Sequence, residues 1–280
     1  MIRWIADNSE LRGIWEAEIP DILFFGGVVI DESAGKRLCS ILKHIKSGYR
    51  RESDFPLKWN FLSLERYYRQ YGLDESFATL KEDSIRWRSE IFRLASEVEF
   101  TIIMSIIKGH SRKREVLKNT RETLTRYAFS NALMRVGMHV REIAPGSAEL
   151  LLDWPGEGQR GLFDDEYRSA FYRGQCADGQ TGYYCGPLKG LGFSESALYS
   201  NMQECPLLQF SDLIVGALKE VVEVALGKKE DSLGLGLTRL VKDKFRGTPE
   251  GIMGRGISIA PTSGDFYEQL MTRIPALLFS

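Results

Sequence analysis

The chain predicts an α/β fold, a sheet flanked by helices, and two observations carry that reading. Short apolar runs at residues 22–30 (ILFFGGVVI) and 100–107 (FTIIMSII) have the length and β-branched content of strands buried on both faces. Longer stretches with helical spacing fall between and after them, so strands interleave with helices.

Residues 3–6 read as a short strand ending at Asp7. After the run at 22–30, Leu38, Ile41, Leu42 and Ile45 recur at helical spacing up to Ser47-Gly48. A polar, aromatic-rich insertion covers about residues 49–94, helical in its second half. Residues 115–140 form a long helical stretch closed by Pro145-Gly146, and 149–152 form a strand that ends at Asp153 before Trp154-Pro155-Gly156. Residues 162–192 are rich in Gly, Tyr and Asp and show no clear period. Residues 196–199 suit a final strand. The segment 207–226 (LLQFSDLIVGALKEVVEVAL) is a helix ended by Gly227-Lys228. The organisation expected is one α/β domain over 1–227 with its helical insertion, then a glycine-containing C-terminal extension, 228–280, with no assigned role.

Composition narrows the function classes. The chain is 43% hydrophobic and 27% charged with a net charge of −1, so no global field draws it to a polyanion. No apolar run reaches the roughly 18 residues of a membrane span, and the N-terminus lacks a secretory core. The expected compartment is cytoplasmic. Cys39, Cys176, Cys185 and Cys205 form no Cys-x-x-Cys pair, which argues against zinc. His44, His110 and His139 are isolated from one another in sequence.

Carboxylates carry the remaining signal. Asp31-Glu32-Ser33 follows a strand and precedes a helix, where helix capping alone selects such residues. Asp7 (in WIADNS), Asp153 (in ELLLDWPG) and Asp212 (in LLQFSDLIVGAL) are more suggestive. Asp212 lies among Leu208, Phe210, Leu213 and Ile214 and needs a partner to be tolerated there. Gln209, three residues earlier, projects from the same helix face. Acids from two strand ends and a facing helix suit magnesium, a hard cation that takes oxygen ligands.

These motifs resemble an uncharacterised bacterial family, domain of unknown function 3800, over roughly residues 3–226. FFGGVVI is similar to that family's second strand, which makes Asp7-Asn8-Ser9 the counterpart of its N-terminal Asp-Glu-Ser and Asp31-Glu32 a look-alike. LLQFSD (Leu208, Gln209, Asp212) is similar to its C-terminal Gln-x-x-Asp helix, and Lys58 in FPLKWN resembles a lysine it carries. Asn8 departs from the pattern by replacing an acid. The resemblance implies a ribonuclease H-like mixed sheet in which Asp7, Asp153 and Asp212 hold Mg²⁺ or Mn²⁺ for phosphodiester cleavage. It also implies that Gln209 orients a ligand or water and that Lys58 neutralises a phosphate.

A grip for nucleic acid is expected on KGHSRKREVLKNTRETLTRY, residues 108–127, where Arg114, Lys118 and Arg121 share a helix face at i, i+4, i+7. The competing reading is a solvated helix face. LGLGL, 233–237, lacks the strand-turn-helix context of a dinucleotide site. The sequence thus points to a metal-dependent nuclease acting on RNA or DNA. The alternatives are a catalytically weakened, nuclease-like binding or regulatory subunit, and a hydrolase of small phosphate compounds. A homo-oligomer or a partner protein stays open.

Overall fold

The strand that organises the sheet is the apolar run with its glycine pair. In the computed structural model, which describes residues 1–11, 22–50, 55–109, 117–156 and 160–279, β2 (Ile22–Asp31) is buried at every position except its last. It pairs antiparallel with β1 (Ile2–Leu11) on one side and β3 (Thr101–Lys108) on the other. On the far side of β1 lie β4 (Ala148–Asp153) and β5 (Leu198–Ser200), each parallel to its neighbour. A sixth strand, β6 (Ile257–Ala260), runs parallel beside β3, giving the order β5-β4-β1-β2-β3-β6.

Helices cover both faces. Asp31 caps α1 (Glu32–Ser47) by accepting from the Ala34 N–H at 2.8 Å, so Asp31-Glu32-Ser33 is used as a helix start. The insertion supplies α2 (Glu65–Gln70), α3 (Asp74–Glu82) and α4 (Ser84–Ala95). The long helix α5 (Leu117–Ile143) and α6 (Arg160–Arg173) pack on one face of the sheet, in a core with Trp4, Phe25, Phe129 and Phe163. The opposite face carries α7 (Pro206–Ala225) and α8 (Leu233–Leu240), with LGLGL forming the first turn of α8. No helix among the described residues is long and apolar enough to cross a membrane.

Two expectations need correction. Residues 228–280 are not an appendage. β6 extends the sheet, and α9 (Asp265–Phe279) buries Leu270, Ile274 and Leu278 in the same core as α7. The segment 162–192 opens with α6, whose charges hide its apolar face (Phe163, Tyr167, Ala170) from a periodicity reading.

Side-chain alternation positions the site. Along β1, Ile5 and Leu11 belong to the α7-side core, whereas Ile2, Trp4 and Ala6 belong to the α5 side. Asp7 therefore shares the α7 face with Ile5. On β4 the same parity pairs Asp153 with Leu151. α7 reaches the sheet where glycine leaves room, and Ser211 Oγ donates to the Ile5 carbonyl at 2.6 Å. A Cβ on Gly27 would stand 2.0 Å from that carbonyl oxygen and 2.8 Å from Ser211 Oγ.

Gly27→Ala is therefore expected to cost about 1–3 kcal/mol or more in urea unfolding, through overpacking against backbone. Gly236→Ala, on an exposed turn of α8 with no atom within 4 Å, is expected to be neutral or to gain up to about 1 kcal/mol. Equal midpoints for the two variants would contradict this account of the α7–sheet contact.

Candidate functional site

Three acids expected from sequence come to one side of the sheet. Asp7 is not at a strand end as expected, because β1 continues to Leu11 and pairs with β2 throughout, with Asp7 opposite Gly26. Asp153 does end β4. α7 packs on β1 and β2 and carries Asp212 to the side of β1 that holds Asp7, near enough for the Asp212 charge to raise the Asp7 carboxyl. Gly26 puts no side chain beside Asp7, and a Cβ there would stand 2.4 Å from the Ile103 carbonyl oxygen. The glycine pair thus serves the site as well as the sheet.

Lys58 is the cation that faces these acids, with its Nζ 4.0 Å from Asp212 Oδ1. It is delivered by a segment whose backbone is pinned at nearly every residue. The Pro56 carbonyl accepts from Tyr68, and the Leu57 N–H donates to Gln209 Oε1 at 3.2 Å. The Trp59 N–H donates to Asp212 Oδ2 at 2.5 Å, and the Trp59 carbonyl accepts from Arg88 of α4 at 2.7 Å. The Trp59 ring lies against α7 at Gly216, where a Cβ would stand 2.1 Å from it, and its Nε1 donates to Glu220. The helical insertion is thereby a brace that holds Lys58 over the carboxylates.

Gln209 proves to be part of this brace. Its Oε1 takes the Leu57 N–H while its Nε2 donates to the Met202 and Gln203 carbonyls, so both amide hydrogens are spent inside the protein. It is a positioning residue rather than one that orients a ligand or water. The loop it ties down also serves Asp153, whose Oδ1 accepts the Met202 N–H at 2.9 Å. Trp59, Arg88, Ser211, Gly216 and the Met202 amide were not singled out by sequence. A glycine inside the apolar helix was the one local hint.

Electrostatics at the site favour a cation. Burial pushes the Asp7 carboxyl well above the ordinary range. The Asp212 and Asp153 charges add to the rise, and Lys58 and the Asn8 N–H oppose it. Burial also raises Asp212, against Lys58 and the Trp59 N–H. Asp153 is raised by burial and restrained by the Met202 N–H. Burial and mutual repulsion, opposed by Lys58 and from farther off by Arg88, make these carboxyls hold their protons more tightly than free acids do.

The donor set is all oxygen and negatively charged, which fits magnesium or manganese. Among the described residues, however, no three acids already stand at metal-binding spacing. Asp7 and Asp212 would hold an ion between them, and Asp153 would join by leaving the Met202 amide.

Other expected residues lie elsewhere. Asn8 follows Asp7 on β1 and lies where two cavities meet, one that it lines with Asp7 and Asp153 and a larger one that it lines with Glu10 and Arg121. Of the basic stripe, Arg114 lies outside the described residues, as does the Lys118 side chain. Arg121 pairs with Glu10 at 2.5 Å. Comparison with protein-family models, curated proteins and solved structures finds no match for this chain. The family resemblance rests on its quoted motifs alone.

The raised carboxyls carry a definite pH dependence. Asp7 binds its proton more tightly folded than unfolded, so its contribution is favourable below the unfolded pKa of about 3.9 and is lost as pH rises through the folded value. In EDTA, Asp7→Asn should raise the melting temperature at pH 8, and the gain should shrink toward pH 4. A variant less stable than the parent at pH 8 would overturn the assignment of repulsion to this pair.

Proposed function

We propose that this protein is a divalent-metal-dependent nuclease of ribonuclease H-like architecture, cleaving phosphodiester bonds in RNA or DNA. The observation that supports it best is the Asp7–Asp212 contact under Lys58, with Asp153 on the adjacent strand facing the same side. Acids from the first strand, from the strand parallel to it and from a helix packed on the first are what the ribonuclease H-like reading asks for. The six-stranded mixed sheet is compatible with that reading.

Each residue has a defined task. Asp7 and Asp212 would hold the cation together with Asp153, and the metal, when bound, would supply water activation and stabilise the departing oxygen. Lys58, half-buried and held by the braced segment, neutralises a non-bridging phosphate oxygen. Gln209 and Trp59 keep Lys58 and Asp212 in register.

The second reading, a catalytically weakened binding or regulatory subunit, draws on one observation: the lack of a ready three-acid group among the described residues. Labelled RNA and DNA incubated with the pure protein in Mg²⁺, Mn²⁺ or EDTA separates the two. The nuclease reading expects metal-dependent cleavage, lowered at least about a hundredfold in Asp153→Ala and Asp212→Ala, comparable with removal of other transition-state charge stabilisers. Binding without cleavage in any metal would favour the subunit. Cleavage unchanged in both variants would place the chemistry elsewhere.

A further inference from the structure

Beside the acids stands an exposed aromatic group that the metal chemistry does not use. Trp154 immediately follows Asp153, is 44% exposed, and lines a cavity of about 180 Å³ together with Asp7 and Asp153. Its ring meets Tyr199 edge-on, with centroids 5.8 Å apart. The Arg160 guanidinium lies over both rings, 5.7 Å from the Trp154 centroid and 5.3 Å from that of Tyr199.

The group is built rather than incidental. Asp164 accepts from Arg160 Nε at 3.1 Å and from the Tyr199 hydroxyl at 2.7 Å, so one carboxylate fixes the cation and the second ring. Packing alone gives no reason to hold a tryptophan at the surface next to a carboxylate. A flat, cation-backed ring at this place suits stacking on a nucleobase.

A second feature begins on the other side of Asn8 and Phe163, which line both this cavity and a larger one of about 960 Å³ between α5 and α6. Its walls carry Arg121, Arg126, Arg168 and Arg173, with Thr125. Arg121 pairs with Glu10, Arg168 with Asp165 at 3.5 Å on the open surface, and Arg126 with Asp178 and Glu166 at 3.5 and 3.8 Å; Glu122 is the remaining acid of the lining. Arg173 is exposed, and no acid among the described residues pairs with it. Guanidiniums fixed in this way suit phosphate oxygens.

The two features meet at Asn8 and Phe163, beside Asp7 and Asp153. Resting on the nuclease reading for the chemistry between them, we propose that the substrate is single-stranded nucleic acid. The base beside the scissile phosphate stacks on Trp154, and the chain continues past Asn8 so that its next phosphates enter the arginine cavity. A duplex keeps its bases stacked inside and cannot offer one to Trp154 without first opening. Asn8, at the crossing point, is neutral where an acid would repel the passing phosphate.

Fluorescence anisotropy tests this without any cleavage, using the whole protein in EDTA with labelled single-stranded oligonucleotides and a hairpin duplex of the same sequence. Single strands should bind at least about tenfold more tightly than the duplex. Trp154→Ala should weaken single-strand binding by about tenfold or more, and Trp154→Phe should restore most of it. Arg173→Ala should lower affinity for every sequence and reduce the salt slope by about one. Trp154 is exposed, so its variants should melt with the parent. Equal affinity for duplex and single strand, or a Trp154→Ala variant that binds as the parent does, would overturn the proposal. Metal-dependent cleavage together with either result would leave the nuclease reading standing. Selective, Trp154-dependent binding with no cleavage in any metal would sink the nuclease reading alone.

Discussion

The structure turns on the contact between the Asp7 and Asp212 carboxyl groups. Bringing a half-buried acid and a buried one together is unfavourable, and three glycines that also serve the packing make room for it. Gly26 puts no side chain beside Asp7, Gly27 lets Ser211 reach the Ile5 carbonyl, and Gly216 admits the Trp59 ring onto α7. Each is a position where a methyl group would collide with backbone or a ring. The site exists because α7 lies closer to the sheet than ordinary side chains permit.

From that constraint the rest of the molecule follows. α4 contributes Arg88 to the Trp59 carbonyl, and the loop before α7 gives Asp153 a backbone donor while Gln209 anchors the loop itself. The helical insertion and the loop before α7 therefore support the acids rather than decorate the sheet. The electrostatic cost of grouping these acids is built into the fold, which is what the proposed cation site rests on.

Much of this was legible in the sequence, though unevenly. The buried strand at 22–30, the helix capped by Asp31 and the helix carrying Asp212 announce themselves through apolar runs, capping residues and an acid stranded among leucines. Asp7 was found, but its strand was ended too early. Residues 7–10 are polar, and only pairing with β2 as far as Leu11 keeps them extended. Trp59 and Arg88 gave no local sign, because their roles are backbone hydrogen bonds across the fold. β6 is four residues long and acquires its meaning from β3 beside it. Gln209 was found for the wrong reason: its amide sits beside the acids but is consumed by the loops it joins.

The central claim to test is the proposal that a divalent cation binds at Asp7 and Asp212 and displaces protons that burial makes these carboxyls hold more tightly. Calorimetric titration of Mn²⁺ at neutral pH, repeated in buffers of different ionisation enthalpy, measures both the binding and the protons released. Saturable binding with net proton release, lost in Asp212→Asn, is the expected result. No binding heat, or binding that is unchanged in Asp212→Asn, would contradict it.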